Sequence, residues 1–372
     1  MADGNKNNRI PVLKPLLPPA EAILPYLQRI DETRWYSNRG PLLVEFEQGI
    51  ADTVNVIPEG IACVSNGTLA ITVALTAAGA VPGRKCLMPS WTFVGTVSAV
   101  ITAGLEPYFV DVDIDSWALT PDQLYDRNDL DEIGAVVTVA PFGAPLDRAA
   151  WDRFTEQTGI PVVIDAAAAF DAIASTEMMK PGPTPMAVSL HATKTFGVGE
   201  GGFIVCTDSD LVQRARQIGN FGFYQISVAQ ISGWNAKLSE YAAAVGMACM
   251  DNWPDKRVAW ERVTHKYQEL LGSMDNVSLH PAYGDGWVSS YCCVRVKGDG
   301  HRVAKRLNDH GIDTRRWWRG GCHTHPGYMG IARDPLPATQ ALATTTIGLP
   351  FSIDLTDEQV EIVCSTLSTA LN

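Results

Sequence analysis

The chain has 372 residues, 46% of them hydrophobic and 19% charged, with a formal net charge of -12. That length allows a large buried core in two domains or one large one. The negative charge weighs against a surface built for nucleic acid or anionic membrane, because long-range repulsion opposes both encounters; an anionic substrate would need a local basic pocket.

The start, Met1 to Lys6, is polar and offers no apolar signal-peptide region. From about Gly60, short apolar runs alternate with helix-like segments. IACVS, CLMP, PYFVDV, AVVTVAPF, PVVIDA, AVSLHA and FIVCT are the strand candidates. Runs this apolar point to a sheet covered on both faces, as in α/β folds. LAITVALTAAG and AAWDRFTEQTG read as intervening helices, so a mainly parallel sheet is expected. The uncharged stretch from Cys86 to Leu105 contains Pro89, Gly95 and Gly104 and reads as strand, loop and helix, not as a membrane span.

Near Trp253 and Pro254 the pattern changes. A helix with Ala259, Val263, Tyr267 and Leu270 on one face opens a second region of mixed strands and helices. The expected division is an N-terminal arm and large domain over 1–252 and a small C-terminal domain over 253–372. The last helix starts on a capping box, Thr356 and Gln359, with Val360, Val363, Cys364, Leu367 and Leu371 as its buried stripe. Eight cysteines are scattered with no C-x-x-C pair, which reads as reduced thiols in a cytoplasmic protein.

The segment AVSLHATKTFGVGEGGFIVCT sets Lys194 just beyond a buried strand and before a glycine-dense loop, where backbone can bend tightly around a ligand. Gly197, Gly199 and Gly202 formally match the dinucleotide fingerprint. That fingerprint opens a helix, however, whereas Phe203 to Thr207 reads as a strand and Glu200 would repel a pyrophosphate. Asp165 ends PVVID at the edge of an apolar core, either as a cap or turn residue or as the partner of a cation such as a pyridinium nitrogen. SNGTLAITVAL reads as strand, turn and helix start, so the amides near Thr68 and Leu69 can receive a phosphate at the helix dipole. His191 reads as a positioned or core histidine. Cys322, His323 and His325 lack evident further metal ligands, and no metal is expected. Arg315, Arg316 and Arg319 with Trp317 and Trp318 are either solvated charge or a substrate-facing cluster able to meet a diphosphate and stack a base.

In this order the segments SNGTLA, PSWTFVGT, VIDAAA, SLHATKTFGVGEGG, GWNAKLSEYAAAVG and LPFSIDLT resemble the DegT/DnrJ/EryC1/StrS family of sugar aminotransferases, over nearly the whole chain. The resemblance implies a fold type I pyridoxal phosphate enzyme: a large domain with a mainly parallel seven-stranded sheet and a smaller C-terminal α+β domain. It makes Lys194 the Schiff-base lysine and proton carrier, and it sets Asp165 on the ring nitrogen. Phe93 then stacks on the ring, unless it is a core aromatic, and Thr68, the Leu69 amide and Ser189 hold the phosphate. Asn235 and Lys237 reach the phosphate of the partner subunit in a homodimer, Lys237 standing where many relatives carry arginine. Arg315, Arg316, Arg319 and His323 fall to the substrate. Many relatives have Gln or His three residues after the aspartate, whereas this chain has Ala168, so no side-chain hydrogen bond reaches the cofactor's phenolic oxygen from there.

The implied reaction runs in two halves. L-glutamate loads the cofactor as pyridoxamine 5'-phosphate, and a nucleotide-linked keto sugar receives the amine. VIDAAAAFDA, SLHATK, NFGF, WNAKLSEY and GIDTRRWWRGGCH look most like the branch that aminates C4 of dTDP-4-keto-6-deoxyglucose. A C3 keto-sugar or aminocyclitol aminotransferase is the runner-up. Dehydratases of the family replace the lysine with histidine, so Lys194 argues against them, and Lys194 with Asp165 argues against a non-catalytic regulatory relative.

Overall fold

A computed structural model describes residues 9–372; the polar start of the chain lies outside them. All seven apolar runs form strands of one sheet: β1 (Ile61–Val64), β2 (Lys85–Pro89), β3 (Glu106–Val110), β4 (Ile133–Val139), β5 (Val162–Asp165), β6 (Met186–Ser189) and β7 (Gly202–Val205). Their order is β1-β7-β6-β5-β4-β2-β3, and only β7 runs against its neighbours. β4, β5, β6 and β7 are buried at every residue, as a sheet sandwiched between helices requires.

Helices Gly67–Ala77 and Val94–Thr102 cover one face with a core that includes Val73, Val97, Val100 and Ile204. Helices Pro41–Val54 and Glu240–Asp251 cover the other, where Phe46, Phe170, Phe196 and Phe203 pack together. The strand expected at Phe203 is β7, so the glycine-dense loop opens a strand and not a dinucleotide-binding helix. A hairpin of β8 (Phe223–Tyr224) and β9 (Ile226–Ala229) projects from the end of helix Ser209–Gly219, with every residue of β9 exposed.

Helix Trp253–Leu271 starts at the expected change of pattern. A three-stranded antiparallel sheet follows, β10 (Val277–Leu279), β11 (Cys292–Val296) and β12 (Thr346–Leu349), with helices Gly300–Asp309 and Asp357–Leu371 around it. Thr356 and Gln359 form the capping box in full, and Val360, Val363, Cys364 and Leu367 are buried, with Ala370 taking the place expected for Leu371. Ile10 joins this C-terminal core: its N–H donates to Gly311 O at 3.0 Å, and the Asp313 N–H donates to its carbonyl at 2.9 Å. The start of the described chain is therefore strapped to the C-terminal region. No helix among the described residues is long and apolar enough to cross a membrane, and all eight cysteines are unpaired.

Candidate active site

The loops leaving β1, β2, β4, β5 and β6 gather at the carboxyl ends of those strands, where open α/β sheets hold ligands. β5 ends on Asp165, in register with Val139 and Ala187. Its carboxylate is 5% exposed; it accepts a hydrogen bond from Thr96 Oγ1 at 2.6 Å and from the Ala167 N–H at 3.1 Å. Burial pushes the carboxyl's pKa up, while these two donors and the charge of Lys194 pull it down. A carboxylate held this deep by neutral donors is stabilised by a cation placed against it.

Lys194 follows β6 through a tight turn closed by its N–H on His191 O at 2.9 Å. Its Nζ donates to Tyr291 Oη at 3.1 Å and lies 5.2 Å from the centre of that ring. His191 is held within the same turn, Nδ1 2.9 Å from Thr193 Oγ1 and Nε2 3.8 Å from Glu200.

The third part of the site is the start of helix Gly67–Ala77. Asn66 caps it by accepting from the Leu69 N–H at 2.9 Å, so the amide expected to meet a phosphate already has a partner. The first bond along the helix backbone is from Ala70 to Asn66 O, which leaves the Gly67 and Thr68 amides ahead of it at the positive end of the dipole. Gly67 must lack a side chain, since a Cβ there would sit 2.8 Å from Ser189 Cβ. At Gly95 a Cβ would meet the Phe93 ring at 3.0 Å and Thr68 Oγ1 at 3.2 Å. Ser189, Thr68 and Phe93 are thereby brought into one continuous surface. Phe93 is 61% exposed, which rules out the core-aromatic reading.

An amine, a buried carboxylate suited to a cation, an open aromatic face and a helix start lined by small residues fit pyridoxal phosphate.

A wall of aromatics stands over Lys194. Trp318 stacks on Phe142 at 4.3 Å and meets Trp91 edge-on at 5.3 Å, while Tyr291 packs edge-on against Phe142 and Trp317. Phe142 holds a left-handed backbone, φ 56°, fixed by that stack and by Ser289 Oγ donating to its carbonyl at 2.8 Å. Beyond the wall, Arg315, Arg316 and Arg319 line a cleft of about 590 Å³ with His301, Thr314 and Gly320. Arg315 lies over Trp317 at 4.6 Å, so cleft and lysine share that wall. Arg316 is tied to the Ala343 carbonyl and to His301. His323 is set apart from the cleft, at the end of β2, with Nδ1 2.7 Å from Ser90 Oγ. Burial and the neighbouring Arg333 lower its pKa.

The model of the DegT/DnrJ/EryC1/StrS aminotransferase family matches residues 19–368. The chain belongs to that family. It is a fold type I, pyridoxal phosphate-dependent sugar aminotransferase. A putative PLP-dependent aminotransferase from Bacillus cereus superposes with a TM-score of 0.90 at 31% identity, covering 97% of this chain and 100% of that one. DesI, solved in the presence of its TDP-sugar product, gives a TM-score of 0.86 at 29% identity over 98% of this chain and 94% of its own. The dTDP-4-amino-4,6-dideoxy-D-glucose transaminase of Shigella dysenteriae is 26% identical over 96% of this chain and 97% of that protein.

Two residues expected at the partner's phosphate lie beside the end of β1 in the aminotransferase's own chain, where the Lys237 backbone bridges Val64 and the Ala236 carbonyl accepts from the Ser65 N–H at 2.8 Å. Lys237 Nζ donates to Asn220 Oδ1 at 3.2 Å and lies 4.5 Å from the Phe221 ring centre; burial lowers its pKa. Asn235 is exposed, its backbone bridged to Asn220. Sequence reasoning missed Tyr291, Thr96 and Phe142. A lone Tyr ahead of a strand carries no local signal, but Thr96 lay within the PSWTFVGT segment and one helical turn from Phe93, where a hydroxyl near the aspartate was open to inference.

Proposed function

We propose that Lys194 carries pyridoxal 5'-phosphate and that the enzyme moves an amine from L-glutamate to a nucleotide-linked keto sugar, namely dTDP-4-keto-6-deoxyglucose, giving the 4-amino-4,6-dideoxy sugar. The observation that carries this reading is that Thr96, one turn from the exposed Phe93 ring, bonds the buried Asp165 carboxylate, on which the Lys194 charge also acts, at the carboxyl ends of β2, β5 and β6. When bound, the cofactor supplies an electron-accepting ring that makes the carbon bearing the amine acidic. Asp165 holds the ring nitrogen protonated, Phe93 covers one ring face, and Gly67, Thr68 and Ser189 receive the phosphate. Lys194 Nζ takes and returns the proton at the carbon that gains or loses the amine.

The names of DesI's TDP-sugar product and of the Shigella transaminase support a thymidine-linked sugar. The arginine cleft next to Trp317 supports a diphosphate, which an acidic protein must meet with local cations. His323, bonded to Ser90 beside Trp91, is assigned to the sugar end. The exposed hairpin residues Phe223, Ile226 and Val228, together with exposed Asn235, support a homodimer in which Asn235 and Lys237 complete the partner's phosphate site. We place the protein in the cytoplasm on its unpaired cysteines and divide it at 252/253, where helix Trp253–Leu271 begins.

Incubation with L-glutamate and the dTDP-keto sugar, with the product read by NMR, tests the proposal. A new amine at C4 and stoichiometric 2-oxoglutarate are expected. An amine at C3, or turnover only with a free cyclitol, overturns the substrate assignment.

A further inference from the structure

We propose that Tyr291 is a positioning residue for the Lys194 amine: its hydroxyl is the hydrogen-bond partner that aims Nζ and follows it through both of its protonation states. This rests on the assignment of Lys194 as the cofactor-bearing amine. Among the described residues Nζ makes one hydrogen bond, to Tyr291 Oη at 3.1 Å, and it forms no ion pair with a carboxylate. Asp165 acts on it only through space.

A neutral partner suits the chemistry. A carboxylate in contact would favour the ammonium form and hold the amine out of use as a nucleophile or base. A phenol oxygen favours the ammonium far less than a carboxylate does and can still donate to the neutral amine, so it keeps the nitrogen in place in either state.

The partner is also rigid. The Tyr291 ring is packed edge-on against Phe142 at 5.9 Å and Trp317 at 5.0 Å. Its backbone N–H donates to Ser289 Oγ at 3.0 Å, and Ser289 in turn donates to Phe142 O at 2.8 Å. Two χ angles are thus held by packing, and rotation about the C–O bond is the freedom left to the hydroxyl. From the Asp165 side, Ala168 presents a buried methyl and no polar group. The arrangement joins the C-terminal region to the reacting nitrogen through one oxygen atom. Trp317, which lies under the Arg315 guanidinium of the cleft, touches the same ring, so a contact made by Arg315 bears on the lysine through Trp317 and Tyr291.

Tyr291→Phe keeps the ring and its packing and removes only that oxygen. In the cofactor-loaded enzyme, Nζ then loses the acceptor that favours its protonated form. The pH at which the visible cofactor absorption changes should fall by about one unit, equivalent to a tenfold weaker hold on the proton. In single turnover with L-glutamate the rate should drop on the order of 10- to 100-fold, with the glutamate concentration at half-saturation little changed. An unchanged absorption transition overturns the proposal, whatever the rate does, because a packing role alone would leave that pH in place. Borohydride reduction and peptide mapping are run on both proteins. If the wild-type label is not on Lys194, the site assignment itself fails; if it is on Lys194 and the transition in Tyr291→Phe does not move, only the role of Tyr291 falls.

Discussion

Replacing Asp165 by Asn separates the cost of burying a carboxylate from its use. The carboxylate is 5% exposed, with Thr96 Oγ1 at 2.6 Å and the Ala167 N–H at 3.1 Å. An asparagine can turn its oxygen to Ala167 and its NH₂ to Thr96 Oγ1, which then points its own proton at Thr92 Oγ1, 2.7 Å away. Both polar atoms of the asparagine keep a partner, so the fold survives. Because burial raises the folded-state pKa of Asp165, this carboxyl stabilises the cofactor-free protein most below its unfolded pKa, and that contribution is lost as pH rises through the folded value. At neutral pH the asparagine variant without cofactor should therefore melt at the same temperature as wild type or higher. With cofactor the balance reverses. Removing one partner of a buried ion pair costs about 3–5 kcal/mol, so turnover should fall by about 10²- to 10⁴-fold at 1.4 kcal/mol per decade. Melting curves with and without pyridoxal phosphate and steady-state transamination measure both arms. Wild-type turnover would remove Asp165 from the ring nitrogen, and a cofactor-free melting point well below wild type would refute the account of its hydrogen bonds.

Lys194→Ala should lose turnover and the borohydride-fixed cofactor while folding normally, as read by peptide mass mapping; label recovered on another lysine would contradict its assignment. Arg315→Ala and Arg319→Ala should chiefly raise the KM for the nucleotide sugar, as expected when binding common to ground and transition states is lost, whereas Arg316→Ala should lower stability first, because its guanidinium is tied to the Ala343 carbonyl and its Nε is buried. Equal KM effects with no loss of stability at 316 would put all three on the substrate. Mixing Lys194→Ala with Asn235→Ala subunits should restore one intact site per mixed dimer, seen as recovered activity, provided that the asparagine change alone is damaging; sedimentation showing an active monomer would rule out the shared site.

The seven strands, the helix begun at Trp253 and the capping box at Thr356 were legible along the chain because each is written in local period and local caps. Lys194 and Asp165 stood out as candidates as well, since each sits at the edge of an apolar run where a charged residue needs a reason. The neighbours of these residues did not. The partner of Lys194 lies 97 residues further on, and nothing in the sequence around Tyr291 marks it. Asn66, read within a loop and helix start, takes the Leu69 amide because its own side chain folds back as a cap. Trp318 looked free to stack a base, yet one face is spent on Phe142, whose left-handed backbone no residue pattern announces. The insertion of β7 between β1 and β6, against the direction of both, is likewise absent from the apolar runs, which look the same in either orientation. Local sequence sets which residues are buried and which segments turn, because those depend on period and on near neighbours. Which side chains meet across the pocket depends on how distant segments pack and on the rotamers that packing permits, and this only the folded chain decides.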